Sequence, residues 1–234
     1  MRERMARIGV TQRVSVIEDY GERRDCLDQA WTSLLESLGH EPIPLPNTPG
    51  DPERYLDSLG IAGLVLTGGN DLAHREDAET AAPERDAFET AAIEWARDRG
   101  VAILGVCRGL QLLTVHFGGR LRRVEGHVAV DHGLEAAADI DAMAGSAWLP
   151  NALPDLIRGG SERRTVNSYH DYAIDPDGLA DPLQALATAP DGTVELASHR
   201  AEPIVGVMWH PERDSPAAAL DRQLFAGLFG GAER

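Results

Sequence analysis

The chain of 234 residues has only two cysteines, Cys26 and Cys107, one in a charged, helix-like stretch and one in a turn flanked by glycines. No disulfide framework is indicated. It lacks any run of five or six basic residues, and 38 acidic against 22 basic side chains give a formal net charge of −16. That balance counts against nucleic acid and anionic membranes as partners, while a local arginine cluster in a cleft still permits an anionic small molecule. No segment approaches the roughly 20 apolar residues of a membrane helix. The start of the chain is basic over residues 1–7, but the apolar run after it is only Ile8, Gly9 and Val10, too short for a secretory signal. A reducing cytoplasm is the expected setting. Internal repeats and low-complexity linkers are also missing, and 43% hydrophobic content suffices for one core, so residues 1–234 read as one domain.

What is present is an alternation of short apolar runs with longer segments of helical period, the pattern of strands and crossover helices in a parallel sheet. The expected class is α/β. Strands are predicted over 7–11, 42–45, 63–66 and 101–106, the last almost wholly apolar, as a strand buried on both faces should be. Residues 13–24 read as a charged loop. Helices are predicted over 25–38, with Leu27, Ala30, Trp31, Leu34, Leu35 and Leu38 on one face and Gly39 as its stop, and over 83–99, with a proline near its start and Gly100 at its end. A further helix follows Cys107, and a last one covers 216–228. Between them, alternating segments at 121–124, 127–130, 193–198 and 204–208 read as mixed or antiparallel strands.

The chemistry concentrates at three places. Gly105-Val106-Cys107-Arg108-Gly109 sets a thiol where a buried strand becomes a helix. Such an elbow exposes the side chain at the sheet edge, the glycines relieve crowding, and the helix N-terminus favours a thiolate. The backbone N–H of Arg108 can then face a developing oxyanion. Taken alone, the elbow competes on even terms with a buried structural cysteine. Of the eight histidines, His210 is the best placed as general base, because it follows an apolar strand and Glu212 stands two residues on, able to fix its tautomer. The third place is Gly68-Gly69, a glycine pair after a strand, where backbone approaches something closely. Cys26 carries no evident base and reads as structural or incidental. No zinc-spaced cluster is evident: His127, Asp131 and His132 mimic one but read as a solvated loop, so no metal and no cofactor are expected.

The segments Gly-Val-Cys107-Arg-Gly-Leu-Gln111 and Gly-Val-Met-Trp-His210-Pro-Glu212 resemble the two signatures of the class I glutamine amidotransferases, in the same chain order and over nearly the whole chain. The resemblance implies a flavodoxin-like fold, a central, mostly parallel sheet flanked by helices, with a smaller antiparallel sheet in the C-terminal half. It implies a Cys107–His210–Glu212 triad acting through a thioester. The oxyanion would be held by Arg108 and by Gly68 or Gly69. Gln111 matches the family glutamine that holds the glutamate portion, and Asn167, Ser168, Tyr169 and His170 fall in a segment similar to the loop that binds its α-amino and α-carboxylate groups.

With no synthetase domain attached and an arginine after the nucleophile, the chain is similar to the free-standing γ-glutamyl hydrolases of the peptidase C26 type. Residues 8–13 and 22–31 look like hydrolases of γ-glutamyl-CDP-amidate, which release cytidine diphosphoramidate for surface polysaccharide. A diphosphate would suit guanidinium groups, Arg13 first among Arg13, Arg23 and Arg24. Tyr169-His170-Asp171-Tyr172 departs from the paired histidines and glutamine of γ-glutamyl-γ-aminobutyrate hydrolases. That activity stays open, as do a glutaminase subunit feeding a separate synthetase, a non-catalytic binder, a redox-sensing thiol protein and a homo-oligomeric state.

Overall fold

A computed structural model describes residues 5–75, 77–138, 140–143, 146–159 and 164–230. The basic start read over residues 1–7 lies partly outside them. In chain order the elements are β1 (Ala6–Thr11), β2 (Arg13–Ile17), β3 (Glu22–Cys26), α1 (Gln29–Ser37), β4 (His40–Leu45), α2 (Pro52–Leu59), β5 (Gly63–Leu66) and α3 (Pro83–Arg99). There follow β6 (Ala102–Val106), α4 (Arg108–His116), β7 (Arg122–Arg123), β8 (Val128–Gly133), β9 (Glu135–Ala136), α5 (Ile140–Met143) and α6 (Leu153–Arg158). The last are β10 (Thr165–Tyr169), β11 (Tyr172–Ala173), a 3₁₀ turn at Pro176–Gly178, β12 (Leu183–Thr188), β13 (Val194–His199), β14 (Ile204–Val207) and α7 (Ala218–Phe229).

One eight-stranded sheet in the order β4-β1-β5-β6-β14-β13-β12-β9 organises the chain. Pairing from β4 to β14 is parallel, and from β14 to β9 antiparallel. The expected α/β class is the observed one. Because side chains alternate across a strand, the apolar runs feed two cores. Val65, Leu104, Val106, Val205 and Val207 join Trp31 and Leu35 of α1 and Leu224, Phe225 and Leu228 of α7. Leu64, Leu66, Ile103 and Ile204 meet Leu56 of α2, Phe88, Ile93 and Trp95 of α3 and Leu112 and Leu113 of α4. No helix among the described residues is long and apolar enough to cross a membrane.

Two readings of the N-terminal third change. The charged stretch predicted as a loop is a hairpin, β2 against β3, with Arg13 opposite Cys26 and Val16 opposite Arg23. No strand pattern shows in it because four of the five positions of β3 are charged and β2 buries only Val14. The helix predicted from residue 25 therefore begins later, at Gln29, where the Asp28 carboxylate accepts from the Ala30 N–H at 3.0 Å. Helix α2 lies between the strands expected at 42–45 and 63–66, in a stretch with Pro46, Pro49 and Pro52: Pro52 occupies its first turn, Asp51 caps it, and Gly60 ends it in the left-handed region.

Candidate active site

The carboxyl ends of the parallel strands converge at one sheet edge, where open α/β sheets hold their ligands. Residues just after β1, β5, β6 and β14 meet there around a cavity of about 130 Å³ lined by Arg13, Cys26, Leu27, Asp28, Trp31, Thr67, Gly68, Gly69, Cys107, Tyr169, His210, Glu212 and Arg213. Cys26, read from its spacing as part of a helix, lies instead at the end of β3 and forms part of this wall.

Cys107 joins β6 to α4 with φ +52°, a left-handed value that a non-glycine residue holds only when its surroundings enforce it. The enforcement is visible. Its N–H donates to the Val207 carbonyl at 2.7 Å, and its carbonyl accepts from the Gln111 N–H at 3.1 Å as α4 begins. The flanking glycines allow the close approach: a Cβ on Gly105 would lie 2.6 Å from Leu113 Cδ1, and one on Gly109 would lie 2.2 Å from the Leu66 carbonyl oxygen. Arg108 opens α4, so its backbone N–H is one of the first-turn donors that no helix carbonyl can satisfy.

His210 is hydrogen-bonded to Cys107 on one side, and its Nδ1 is 2.7 Å from Glu212 Oε1 on the other. Burial disfavours its imidazolium, but the Cys107 sulfur and the Glu212 carboxylate outweigh burial and raise its pKa to about 9. The backbone is fixed as well, by one amide: the His210 N–H donates to Asn167 Oδ1 at 2.8 Å, and Asn167 Nδ2 donates to the His210 carbonyl at 3.0 Å. A buried thiol, an imidazole and an orienting carboxylate in series can carry nucleophilic acyl transfer.

Gly68 belongs to the same constellation, since a Cβ on it would lie 2.8 Å from His210 Cε1. Gly69 has φ +82° and its Cβ position faces Arg13 Cδ at 3.0 Å. The other readings divide. Tyr169 lines the cavity, its ring 5.6 Å from that of His210 and beneath the Arg213 guanidinium. Asn167 is committed to the His210 backbone, and Ser168 Oγ donates to the His127 carbonyl at 2.6 Å. Gln111 Nε2 donates to the Tyr172 carbonyl at 3.0 Å. His170 is buried and does not line the cavity. Of the three hairpin arginines, Arg23 pairs with Glu84 and Arg24 with Glu22, whereas Arg13 has no carboxylate partner among the described residues.

Sequence reasoning missed a buried charge network beneath the glycine turn. Arg85, fully buried on α3, donates to the carbonyls of Thr67, Gly68 and Gly69, and its Nε lies 2.9 Å from Glu89 Oε1. Burial and the neighbouring Arg108 charge pull its pKa down to about 10, so it stays cationic at neutral pH. Glu89 in turn pairs with Arg108, which also reaches Asp86. The Arg85–Glu89 spacing of four residues was legible, but such pairs usually lie on solvated helix faces.

The reading of His127 and His132 as a solvated loop is also overturned. His127, His132, His170 and Glu195 bring ligand-type atoms within 4.8 Å of one another, and Glu195 is fully buried. Asp131 is not part of this group. The signal was unreadable in the spacing, because two of the four members lie far along the chain on β13 and beyond β10.

The Peptidase C26 family profile matches residues 7–212. The chain belongs to that family. It is 29% identical over 209 residues to the γ-glutamyl-CDP-amidate hydrolase of Campylobacter jejuni, covering 89% of this chain and 90% of that protein. It is 30% identical over 228 residues to a γ-glutamyl-γ-aminobutyrate hydrolase of Escherichia coli O157:H7, covering 89% and 87%. Among solved structures, a putative GMP synthase component from Thermoplasma acidophilum superposes with a TM-score of 0.66 at 20% identity, over 98% of this chain and 94% of that one. A glutamine amidotransferase from Thermotoga maritima superposes at 0.59 and 15% identity, over 97% and 95%. These structures share the class I glutamine amidotransferase fold with the chain.

Proposed function

We propose that the chain hydrolyses the γ-glutamyl amide bond of a small conjugate, with Cys107 as nucleophile, His210 as acid and base, and Glu212 as the group that orients it. The observation that carries this reading is the buried Cys107–His210–Glu212 series beside the cavity. The sulfur attacks the γ-carbonyl, and the oxyanion is held by the Arg108 N–H and an N–H of Gly68-Gly69. His210 protonates the departing amine, leaving a γ-glutamyl thioester on Cys107. Water entering in place of the amine gives its proton to His210, and the collapse of the second tetrahedral intermediate releases glutamate. Tyr169 forms part of the wall against which the glutamyl portion packs.

The conjugate favoured is γ-glutamyl-CDP-amidate, which would yield cytidine diphosphoramidate for phosphoramidate decoration of surface polysaccharide. Two observations favour it: Arg13 stands at the cavity free of any carboxylate partner among the described residues, and the Campylobacter jejuni relative bears that substrate in its name. The test is glutamate release by the purified chain from γ-glutamyl-CDP-amidate, γ-glutamyl-γ-aminobutyrate and glutamine in parallel. Preference for the nucleotide conjugate is the expected outcome. Preference for γ-glutamyl-γ-aminobutyrate would move the chain to the activity named for its Escherichia coli relative, and glutamine turnover would point to a separate synthetase. Binding without turnover, or silence on all three, would count against the hydrolase reading itself.

A further inference from the structure

Outside the cavity wall, the ribbon formed by β8 and β10, with the residues that flank it, brings His127, His132 and His170 together with Glu195 of β13. The polar atoms that face one another there have no hydrogen-bonding partner: His127 Nδ1, both nitrogens of His132, His170 Nε2 and both oxygens of Glu195. Burying a polar group without a hydrogen-bonding partner is costly, and a carboxylate more so, so a cluster of them calls for something that satisfies all at once. One proton on Glu195 would satisfy a single histidine and leave the others unmatched.

The outward atoms of His127 and His170, by contrast, are already engaged, in the way metal-bound histidines require, while His132 has neither nitrogen engaged. His127 Nε2 lies 2.9 Å from Asp191 Oδ2, which leaves Nδ1 as the inward lone pair. His170 Nδ1 lies 3.0 Å from the Tyr172 carbonyl and can only donate to it, which leaves Nε2 inward. Each contact fixes a tautomer and a ring direction, as carboxylate and carbonyl partners do around ligating histidines. Glu195 Oε1 lies 3.4 Å from His132 Nε2 and 3.5 Å from His170 Nε2. Two ligands at about 2.1 Å from a tetrahedral ion stand roughly 3.4 Å apart.

The geometry points to a divalent transition-metal site, zinc first, in which His127, His132 and His170 each give one imidazole nitrogen and Glu195 gives a carboxylate oxygen. Three nitrogens and one oxygen in a closed, solvent-poor setting fit a structural zinc ion, which needs no open position. Its place assigns its work. The ion ties the ribbon to β13, and the ribbon carries Asn167, whose amide clamps the His210 backbone. None of its four ligands lines the cavity, and the site is independent of which γ-glutamyl conjugate is cleaved.

The experiment is metal analysis of the purified full chain, followed by chelation and titration with zinc or cobalt(II). Expected are about one zinc per chain, the visible absorption of tetrahedral cobalt(II) on substitution, and a thermal midpoint about 5–10 °C higher with zinc at a hundredfold excess over its dissociation constant. Asp191→Asn, which leaves all four ligands in place, should weaken zinc binding about 10–100-fold. Glu195→Gln should abolish stoichiometric binding, and Cys107→Ala should leave it intact. Failure of the stripped wild-type chain to take up zinc or to give a tetrahedral cobalt spectrum would overturn the proposal. So would loss of the metal in Cys107→Ala with retention in Glu195→Gln, since the ion would then belong to the cavity.

Discussion

Two neighbouring strands each contribute to a buried grouping of imidazole and carboxylate, and the two groupings treat histidine in opposite ways. At the end of β14, burial of His210 is outweighed by the Cys107 sulfur and by Glu212, and its pKa is raised to about 9. Behind β10, burial of His170 is not outweighed and its pKa falls to about 4, while burial drives Glu195 on β13 up to about 8. Burial is common to both and so decides nothing. The difference lies in the partners: His210 has its ring and its backbone matched, whereas the inward atoms of the other group are matched by nothing in the protein. The first arrangement is poised to hold and release a proton, and the second is built to hold something heavier.

The largest effect expected on that contrast comes from Cys107→Ala, which should lower turnover by about 10⁴-fold or more while the fold persists. It should also remove one of the two partners that keep His210 charged. His210 has a folded pKa of about 9 against an ordinary 6.5, so it contributes stability that is complete below pH 6.5 and lost as pH rises through 9. That contribution is about 3 kcal/mol, and it should shrink in Cys107→Ala. Chemical denaturation at pH 6 and pH 9.5 reads it; an unchanged pH dependence in the variant would mean the sulfur does not support the imidazolium. Glu212→Gln is next, with turnover expected to fall about 10³–10⁴-fold and the alkaline limb of kcat/KM, near pH 9 in the wild type, displaced downward.

The network under the glycine turn supplies a structural counterpart. Arg85→Met leaves the carbonyls of Thr67, Gly68 and Gly69 without their common donor and Glu89 with one cation fewer. A loss of about 3–5 kcal/mol of stability is expected by urea unfolding. A change under about 1 kcal/mol would mean that the network is dispensable for holding the turn.

How much of this was legible follows the range of the interactions. The parallel strands were legible because a buried run of apolar residues declares itself locally, as at 63–66 and 102–106. So was the elbow, because Gly105 and Gly109 have to be small where β6, β5 and α4 touch. The hairpin over β2 and β3 was not, since β3 carries exposed charges at four of its five positions and they erase the alternation that marks a half-buried strand. Helix α2 was obscured by nearby prolines, of which Pro52 in fact belongs to its start. Long-range side-chain work was least legible. Asn167 sits in a segment read as a pocket wall, yet its amide is spent on a backbone 43 residues away. Arg85 and Glu89 look like a surface pair on α3 and are wholly buried. His127, His132 and His170 needed the sheet to bring Glu195 to them.

Arg13→Ala carries the smallest expected effect and discriminates most finely between substrates. The side chain is exposed at the cavity rim, and neither Glu22 nor Glu84, which hold Arg24 and Arg23, reaches it. Removing it leaves Cys107, His210 and Glu212 with all their contacts, so kcat should stay within about twofold. Binding of a diphosphate leaving portion should weaken, raising KM for γ-glutamyl-CDP-amidate about tenfold, the worth of one charge-assisted contact at a partly exposed site. For γ-glutamyl-γ-aminobutyrate, whose leaving portion carries no phosphate, the same variant should show a smaller rise. Equal changes with both substrates would show that Arg13 shapes the rim through its packing on Gly69 and reads no phosphate, and the hairpin would then have to be searched for another basis of selectivity.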